Sequence, residues 1–413
     1  MDADLIVLGG GAAGFFGAIA AAQRTSPRHV VILERSAQTL AKVRISGGGR
    51  CNATHACFEP AELITRYPRG GLALRGPLTR FGPRQTVDWF AARGVALKKE
   101  PDGRMFPDTN DSATIVDCLE RAAREADVDV RLRAAVVAMT READAFTVTL
   151  QDGETLRAPR VLLATGGAPQ GHALARALGH TLVPPAPSLF TFEIADDGLR
   201  GLSGLSVPQA RVRLLLEPLS RDGAAQFSQI GPVLITHWGL SGPAVLRLSA
   251  WAARELAAAR YVADLEIAWI TRLKPEAILD VLAARKRNTG GQHVGTQSPF
   301  GEIPLRLWKR LVARSGIHEA QIWAKLPRGN ADALVRTLTG EVLRIVGKGQ
   351  FKEEFVTAGG VALDEVDFRM MESRVCPGLY FAGEVLDIDG ITGGFNFQAA
   401  WTTGWIAGQA ANF

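Results

Sequence analysis

The sequence predicts an α/β fold: a discontinuous Rossmann-like nucleotide-binding domain whose two parts flank a β-patterned insert that carries helices. Three observations predict it. A strand, a glycine-rich loop and a helix open the chain, and a second strand, glycine loop and helix close it. Between them, a proline-marked stretch leads into β alternation and then into helical segments.

The first unit is the most specific. Asp4-Leu5-Ile6-Val7-Leu8 reads as a parallel strand buried on both faces. Gly9-Gly10-Gly11-Ala12-Ala13-Gly14 follows at once, and residues 15–23 read as an alanine-rich helix. This is G-x-G-x-x-G in its proper context. Gly9 allows the tight turn, Gly11 lets a pyrophosphate approach the backbone, and Gly14 lets helix and strand pack closely. The helix start supplies free N–H donors for the phosphates. A second strand, 29–33, ends on Glu34, where a carboxylate accepts from the adenosine ribose hydroxyls and disfavours a 2′-phosphate. These features specify an ADP-containing cofactor and leave NAD and FAD unseparated.

Three further segments separate them. Near the C-terminus, residues 379–382 read as a strand, followed by Gly383-Glu384 and then Asp387-Ile388-Asp389-Gly390. Thr392-Gly393-Gly394-Phe395-Asn396 leads into a helix expected over 395–410. Glu384 would meet a polyol linker, and the Gly393 and Gly394 N–H groups at a helix start would face the flavin N1–C2=O edge, which gains negative charge on reduction. Midway, Val161-Leu162-Leu163-Ala164-Thr165-Gly166-Gly167 is a strand running into a small-residue turn. The third segment, 42–52, holds three consecutive glycines, which allow close backbone approach to a ligand. There Arg50 offers a fixed charge for a phosphate or reduced flavin, and Asn52 offers both donor and acceptor. Together these point to non-covalently bound FAD.

At these residues the chain resembles the BaiN-like, or aminoacetone-oxidase-like, FAD-binding oxidoreductases. The resemblance spans essentially the whole chain. It is carried by Ile45-Ser46-Gly47-Gly48-Gly49-Arg50-Cys51-Asn52, Thr236-His237-Trp238-Gly239-Leu240-Ser241-Gly242-Pro243-Ala244, Val356-Thr357-Ala358-Gly359-Gly360-Val361 and the 381–390 segment. It implies an FAD domain interrupted by a β-barrel-like insert with a helical subdomain. The expected divisions are 1–187 and 354–413 for the FAD domain, 188–270 and 340–353 for the barrel, and 271–339 for the helical subdomain. The cofactor-binding set expected is Gly9, Gly11, Ala12, Ala13, Gly14, Glu34, Arg35, Lys42, Ser46, Gly48, Gly49, Arg50, Cys51, Asn52, Val137, Thr165, Gly166, Gly383, Glu384, Asp389, Gly393, Gly394, Phe395 and Asn396.

The insert's own pattern agrees. Pro184-Pro185-Ala186-Pro187 is expected to break regular structure and mark a boundary. Residues 190–194, 210–215 and 261–270 alternate in the β manner, 275–286 and 304–314 read as helices, and 287–298 as a flexible connection. A further helix is expected to start near Asn330, and strand returns at 343–346.

Candidate chemistry centres on His237, between a strand and a glycine turn, as a proton carrier beside the flavin. Cys51, one residue from Arg50, would have a lowered pKa if the two are close, but no C-x-x-C pair supports a dithiol mechanism. His29, His55, His172, His180, His293 and His318 show no metal-ligand spacing and are expected at surfaces or turns.

Composition bounds the rest. Charged residues are 22% of the 413-residue chain and hydrophobic residues 47%, as in soluble globular proteins. The net charge of +5 is carried by scattered residues without a Lys/Arg-dense stripe, so no nucleic-acid partner is expected. The apolar run 5–22 is interrupted by glycines and lacks a basic leader, so neither a signal peptide nor a membrane span is expected. The four cysteines suit a reducing, cytoplasmic setting. The leading function is hydride transfer between flavin and a small organic substrate, with NAD(P)H as a transient reductant that has no glycine unit of its own. The alternatives are an RNA-modifying flavoprotein, and a non-catalytic flavin-binding redox sensor.

Overall fold

The computed structural model describes residues 2–23, 29–199, 201–216, 227–349 and 356–411. It divides into two units, 1–186 with 356–413, and 187–355. The expected boundary between 353 and 354 lies outside the described residues.

The first unit is built on a seven-stranded sheet ordered Val366–Asp367, Glu372–Ser373, Leu379–Phe381, Arg160–Leu163, Leu5–Leu8, Val30–Leu33, Asp129–Arg131. The last five strands run parallel. Its central strands show no polar–apolar alternation because both of their faces are covered: every residue of Leu5–Leu8 and Val30–Leu33 is buried. The chain's two ends meet in helix packing. Gly404 and Gly408 of helix Phe395–Ala410 lie against helix Ala12–Ala22, and a Cβ on them would come within 2.5 Å of the Ala13 carbonyl oxygen and 2.2 Å of the Gly17 carbonyl oxygen. Small residues are therefore what let the C-terminal helix close onto the N-terminal one.

The second unit contains a closed six-stranded antiparallel barrel, in the order Phe192–Ile194, Gly239–Ser241, Ser228–Ile235, Ser206–Leu215, Ala263–Ala268, Glu341–Lys348. Helices Pro275–Asn288, Leu305–Arg314 and Arg328–Gly340 stand between the last two strands in sequence. Their apolar faces share one core with the barrel through Trp269, Ile278, Trp308, Trp323 and Leu338, all buried. Among the described residues, no helix is long and apolar enough to cross a membrane.

Two local expectations are corrected. The prolines at 184, 185 and 187 do not break structure: they lie in strand Leu182–Ser188, in a two-stranded sheet with Val356–Val361. Proline lacks only the N–H, so an edge strand tolerates it. Segment 287–298 is not a free connection either. Val294 is buried, its N–H donates to the Gln321 carbonyl and its own carbonyl accepts from Trp308 Nε1 at 2.8 Å.

His172 and His180 are also buried rather than superficial. His180 Nδ1 lies 2.9 Å from Glu365 Oε2 and its Nε2 lies 2.9 Å from Ser373 Oγ, which ties strand Glu372–Ser373 to the 363–365 turn. Burial pushes the pKa values of His55, His172 and His180 below 6.5. A depressed histidine pKa means the unfolded chain binds more protons just below pH 6.5, so stability is present above that pH and lost as pH falls through it. The thermal midpoint is expected to drop between pH 7.5 and 5.5. A midpoint that holds or rises over that interval would show that these rings are not held neutral.

Candidate functional site

Parallel strands in the order 381, 163, 8, 33 bring four loops together at their carboxyl ends. This is the crevice where open α/β sheets bind ligands. Gly9 carries φ +108° and a Cβ there would sit 2.5 Å from the Ala164 carbonyl oxygen, so the first turn presses against the Thr165 loop. A Cβ on Gly14 would fall 1.9 Å from the Gly9 carbonyl oxygen, as helix-to-strand contact requires. Gly11 differs from both. It is the N-cap of helix Ala12–Ala22, has no side-chain cap, and a Cβ on it would meet nothing within 4 Å. The Ala12, Ala13 and Gly14 N–H groups therefore start a helix with open space in front of it.

Glu34 stands beside this loop. Its Oε2 accepts the Gly10 N–H at 2.8 Å and its Oε1 the Ser36 N–H at 2.8 Å. Arg35 is exposed. On the other flank Gly383, at φ +74°, packs against Ala13, and the following Glu384 accepts the Thr357 N–H at 2.9 Å and pairs with Lys42 at 2.8 Å. Thr165 Oγ1 is buried with no hydrogen-bond partner, next to Gly166. Val137 is remote from these loops in sequence and lies on strand Val136–Glu142, with an exposed side chain at a register shift.

The third wall is the glycine run. Helix Ala41–Gly49 is broken inside by Ser46, Gly47 and Gly48, and Gly47, Gly48 and Gly49 all take positive φ. A Cβ on Gly48 or Gly49 would meet nothing within 4 Å, as at Gly11. Ser46 Oγ donates to the Val43 carbonyl at 2.9 Å. Asn52 bridges to the C-terminal segment: with its amide set to suit both neighbours, Oδ1 accepts the Gly394 N–H at 2.9 Å and Nδ2 donates to the Thr54 carbonyl at 3.0 Å. Nearby, Trp401 Nε1 donates to the Ala53 carbonyl and Thr54 Oγ1 to Gln398 Oε1.

Several predicted contacts carry a different first duty. Arg50 is not a free cation: it pairs with Glu100 at 2.8 Å and lies 3.9 Å over the Phe106 ring. Cys51 is fully buried, and burial pushes its thiol up to about 12, outweighing the hydrogen bond with Ser46 that acts to lower it. Asp389 is fully buried in a two-point ion pair with Arg69. Asn396 closes its own turn, accepting the Gly390 N–H at 2.8 Å and donating to the Gly390 carbonyl at 2.9 Å. The Gly394 N–H faces Asn52, which leaves Gly393 as the nearer candidate for a ligand carbonyl. Phe395 caps this corner, with the His55 ring stacked on it at 4.7 Å. His55 and Arg69 were not anticipated here; the only sequence signal was their nearness to Asn52 and to a cluster of arginines.

His237 lies in the second unit, exposed at the turn between strands Ser228–Ile235 and Gly239–Ser241. It lines a cavity of about 480 Å³ with Glu193, Asp196, Leu199, Thr236 and Trp238.

The uncovered backbone at Gly11, Gly48 and Gly49 and the uncapped helix start fit a dinucleotide with a flavin. The model of the HI0933-like protein Rossmann domain matches residues 3–410. A 3-dehydro-bile acid delta(4,6)-reductase of Clostridium scindens is 31% identical over 98% of this chain and 98% of its own. A ribosomal RNA dihydrouridine synthase of Escherichia coli is 30% identical over 98% and 97%. Among solved structures, a 3-ketosteroid-delta4-(5alpha)-dehydrogenase from Rhodococcus jostii shares the fold at a TM-score of 0.52 and 15% identity, covering 100% of this chain and 97% of that one.

Proposed function

This chain belongs to the HI0933-like Rossmann family, and from that premise we propose that it is an FAD-dependent reductase of a carbon–carbon double bond conjugated to a carbonyl. The observation that carries the reading is the cradle at Gly11, Gly48 and Gly49, three positions where the fold leaves backbone open. Gly11 stands at the start of helix Ala12–Ala22, and Gly48 and Gly49 at the end of the broken helix Ala41–Gly49. The relatives' names support the choice of acceptor. One is a delta(4,6)-reductase, and making dihydrouridine likewise saturates a ring double bond beside a carbonyl.

Bound FAD supplies a two-electron carrier that gives hydride to the substrate. The Ala12, Ala13 and Gly14 N–H groups hold the pyrophosphate, and Glu34 holds the adenosine ribose. Glu384 holds the linker. Gly393 offers its N–H to the flavin carbonyl edge, and Asn52 fixes Gly394 beside it. His237 supplies the proton that completes saturation. The reductant is NAD(P)H, docking transiently. A small organic enone is the first acceptor to consider; uridine in RNA is a second reading, favoured by the name of the Escherichia coli relative.

Purified protein is expected to be yellow and to release FAD, not FMN, on denaturation. Anaerobic NADH or NADPH should bleach it, and a conjugated dienone steroid or a uridine-containing RNA should restore the colour. Colour restored only by oxygen would replace the reductase with an oxidase, and protein that takes up no flavin would remove the function altogether.

A further inference from the structure

Chain-wide, the basic residues are scattered, but between Glu62 and Asp88 there are five arginines and no acidic residue: Arg66, Arg69, Arg75, Arg80 and Arg84. Two are accounted for inside the fold. Arg66 pairs with Glu62 at 3.0 Å, and Arg69 with the buried Asp389. The other three are exposed, and among the described residues none of them is ion-paired with a carboxylate.

Their surroundings are not those of an ordinary solvated face. On helix Gly71–Arg80, Leu74 and Leu78 turn to the core, while Leu72, three residues before Arg75 and so on the same side, is 83% exposed. Arg80 is fixed at the helix end by donating to the Arg369 carbonyl. Arg84 lies 4.8 Å over the ring of Phe58, which keeps 37% of its surface in solvent. Arg369, 85% exposed although paired with Asp367, and the exposed Arg374 extend the positive charge along the neighbouring hairpin. Glu59, Glu62 and Asp88 bound this stretch in sequence, and Asp367 lies on the neighbouring hairpin, paired with Arg369.

We propose that this face of the first unit is a docking surface for structured RNA. Guanidinium groups match phosphate oxygens two at a time, and an arginine-stacked, half-open phenylalanine is a platform for an unpaired base. A bilayer is the poorer partner. The helix presents one exposed leucine, and its length is interrupted by Gly76 and Pro77, so there is no apolar stripe to insert. The proposal goes beyond the choice of hydride acceptor: an RNA could be held here whether or not its uridines are reduced.

The test uses the flavin-loaded full chain, a labelled RNA stem-loop and anionic phospholipid vesicles. Wild type is expected to bind the RNA with a steep salt dependence. R75Q/R80Q/R84Q should lose about two units of the slope of log K against log salt, about 100-fold in affinity at 0.1 M salt if each arginine meets one phosphate. R75Q alone, at a position without a packing role, should lose about 0.7 of that slope. Flavin content and steroid-dienone reduction should be unchanged in both variants. Wild type that binds no RNA at low salt, a triple variant that binds as tightly as wild type, or vesicles bound as tightly as RNA each overturn the surface. Arginine-dependent binding without dihydrouridine formation upholds the surface and removes only the RNA-substrate reading.

Discussion

Gly11→Val is expected to give a folded, colourless protein. The backbone at Gly11 has φ −94° and ψ −170°, an extended conformation that a β-branched residue adopts readily. A Cβ there meets no protein atom within 4 Å, so the free chain should accept valine with its thermal midpoint nearly unchanged. The space that valine fills is the space the pyrophosphate needs. We expect FAD affinity to fall at least 100-fold, about 2.8 kcal/mol, read as loss of the visible flavin absorbance after dialysis. Gly14→Val is the control: its Cβ would sit 1.9 Å from the Gly9 carbonyl oxygen, so helix and strand must separate and the protein should fail to fold. A Gly11→Val protein that stays fully yellow would show that the pyrophosphate lies elsewhere.

The second large effect is expected in the other unit, far from any flavin contact in sequence. Arg310 has a side chain 8% exposed and lies 2.6 Å from Asp196 and 2.8 Å from Glu341, whose side chains are 11% and 3% exposed. Glu341 also accepts Trp269 Nε1 at 2.8 Å. Arg310→Ala would remove the cation shared by Asp196 and Glu341, leaving Glu341 only the more distant Arg314 at 3.6 Å. Removing one partner of a buried pair costs about 3–5 kcal/mol, roughly 10 °C in the thermal midpoint for a unit of this size. Arg310→Ala/Glu341→Gln should recover part of the loss, because one uncompensated charge is gone. The exposed pair Arg131–Glu154 offers the contrast: at 35% and 50% exposure, breaking it should cost about 1 kcal/mol or less. Equal losses from both pairs in a calorimeter would refute the argument from burial.

The glycine loop and its acid were legible because their chemistry is local. A strand, a turn and a helix start within a few residues of each other constrain which residues can stand at each point. Four of the six barrel strands were legible as β alternation, strand Gly239–Ser241 was read as a glycine turn instead, and the helix at 395–410 appeared with the same limits. The duties of the charged residues were not legible. Arg50 meets Glu100, and Asp389 meets Arg69 across 320 positions of chain. No spacing rule reports a partner that distant.

The sequence by itself therefore determined that this protein has a split nucleotide-binding domain with a flavin-compatible glycine cradle, because backbone clearance depends on which residues lack a Cβ. Tertiary structure alone decided which polar groups remain available to a ligand. It placed Asn52 on Gly394, Lys42 on Glu384 and a thiol at position 51 in the core. The Asn52–Gly394 and Lys42–Glu384 contacts each join residues more than 300 positions apart in the chain. Charge pairing and desolvation act through space, and only the folded chain sets those distances.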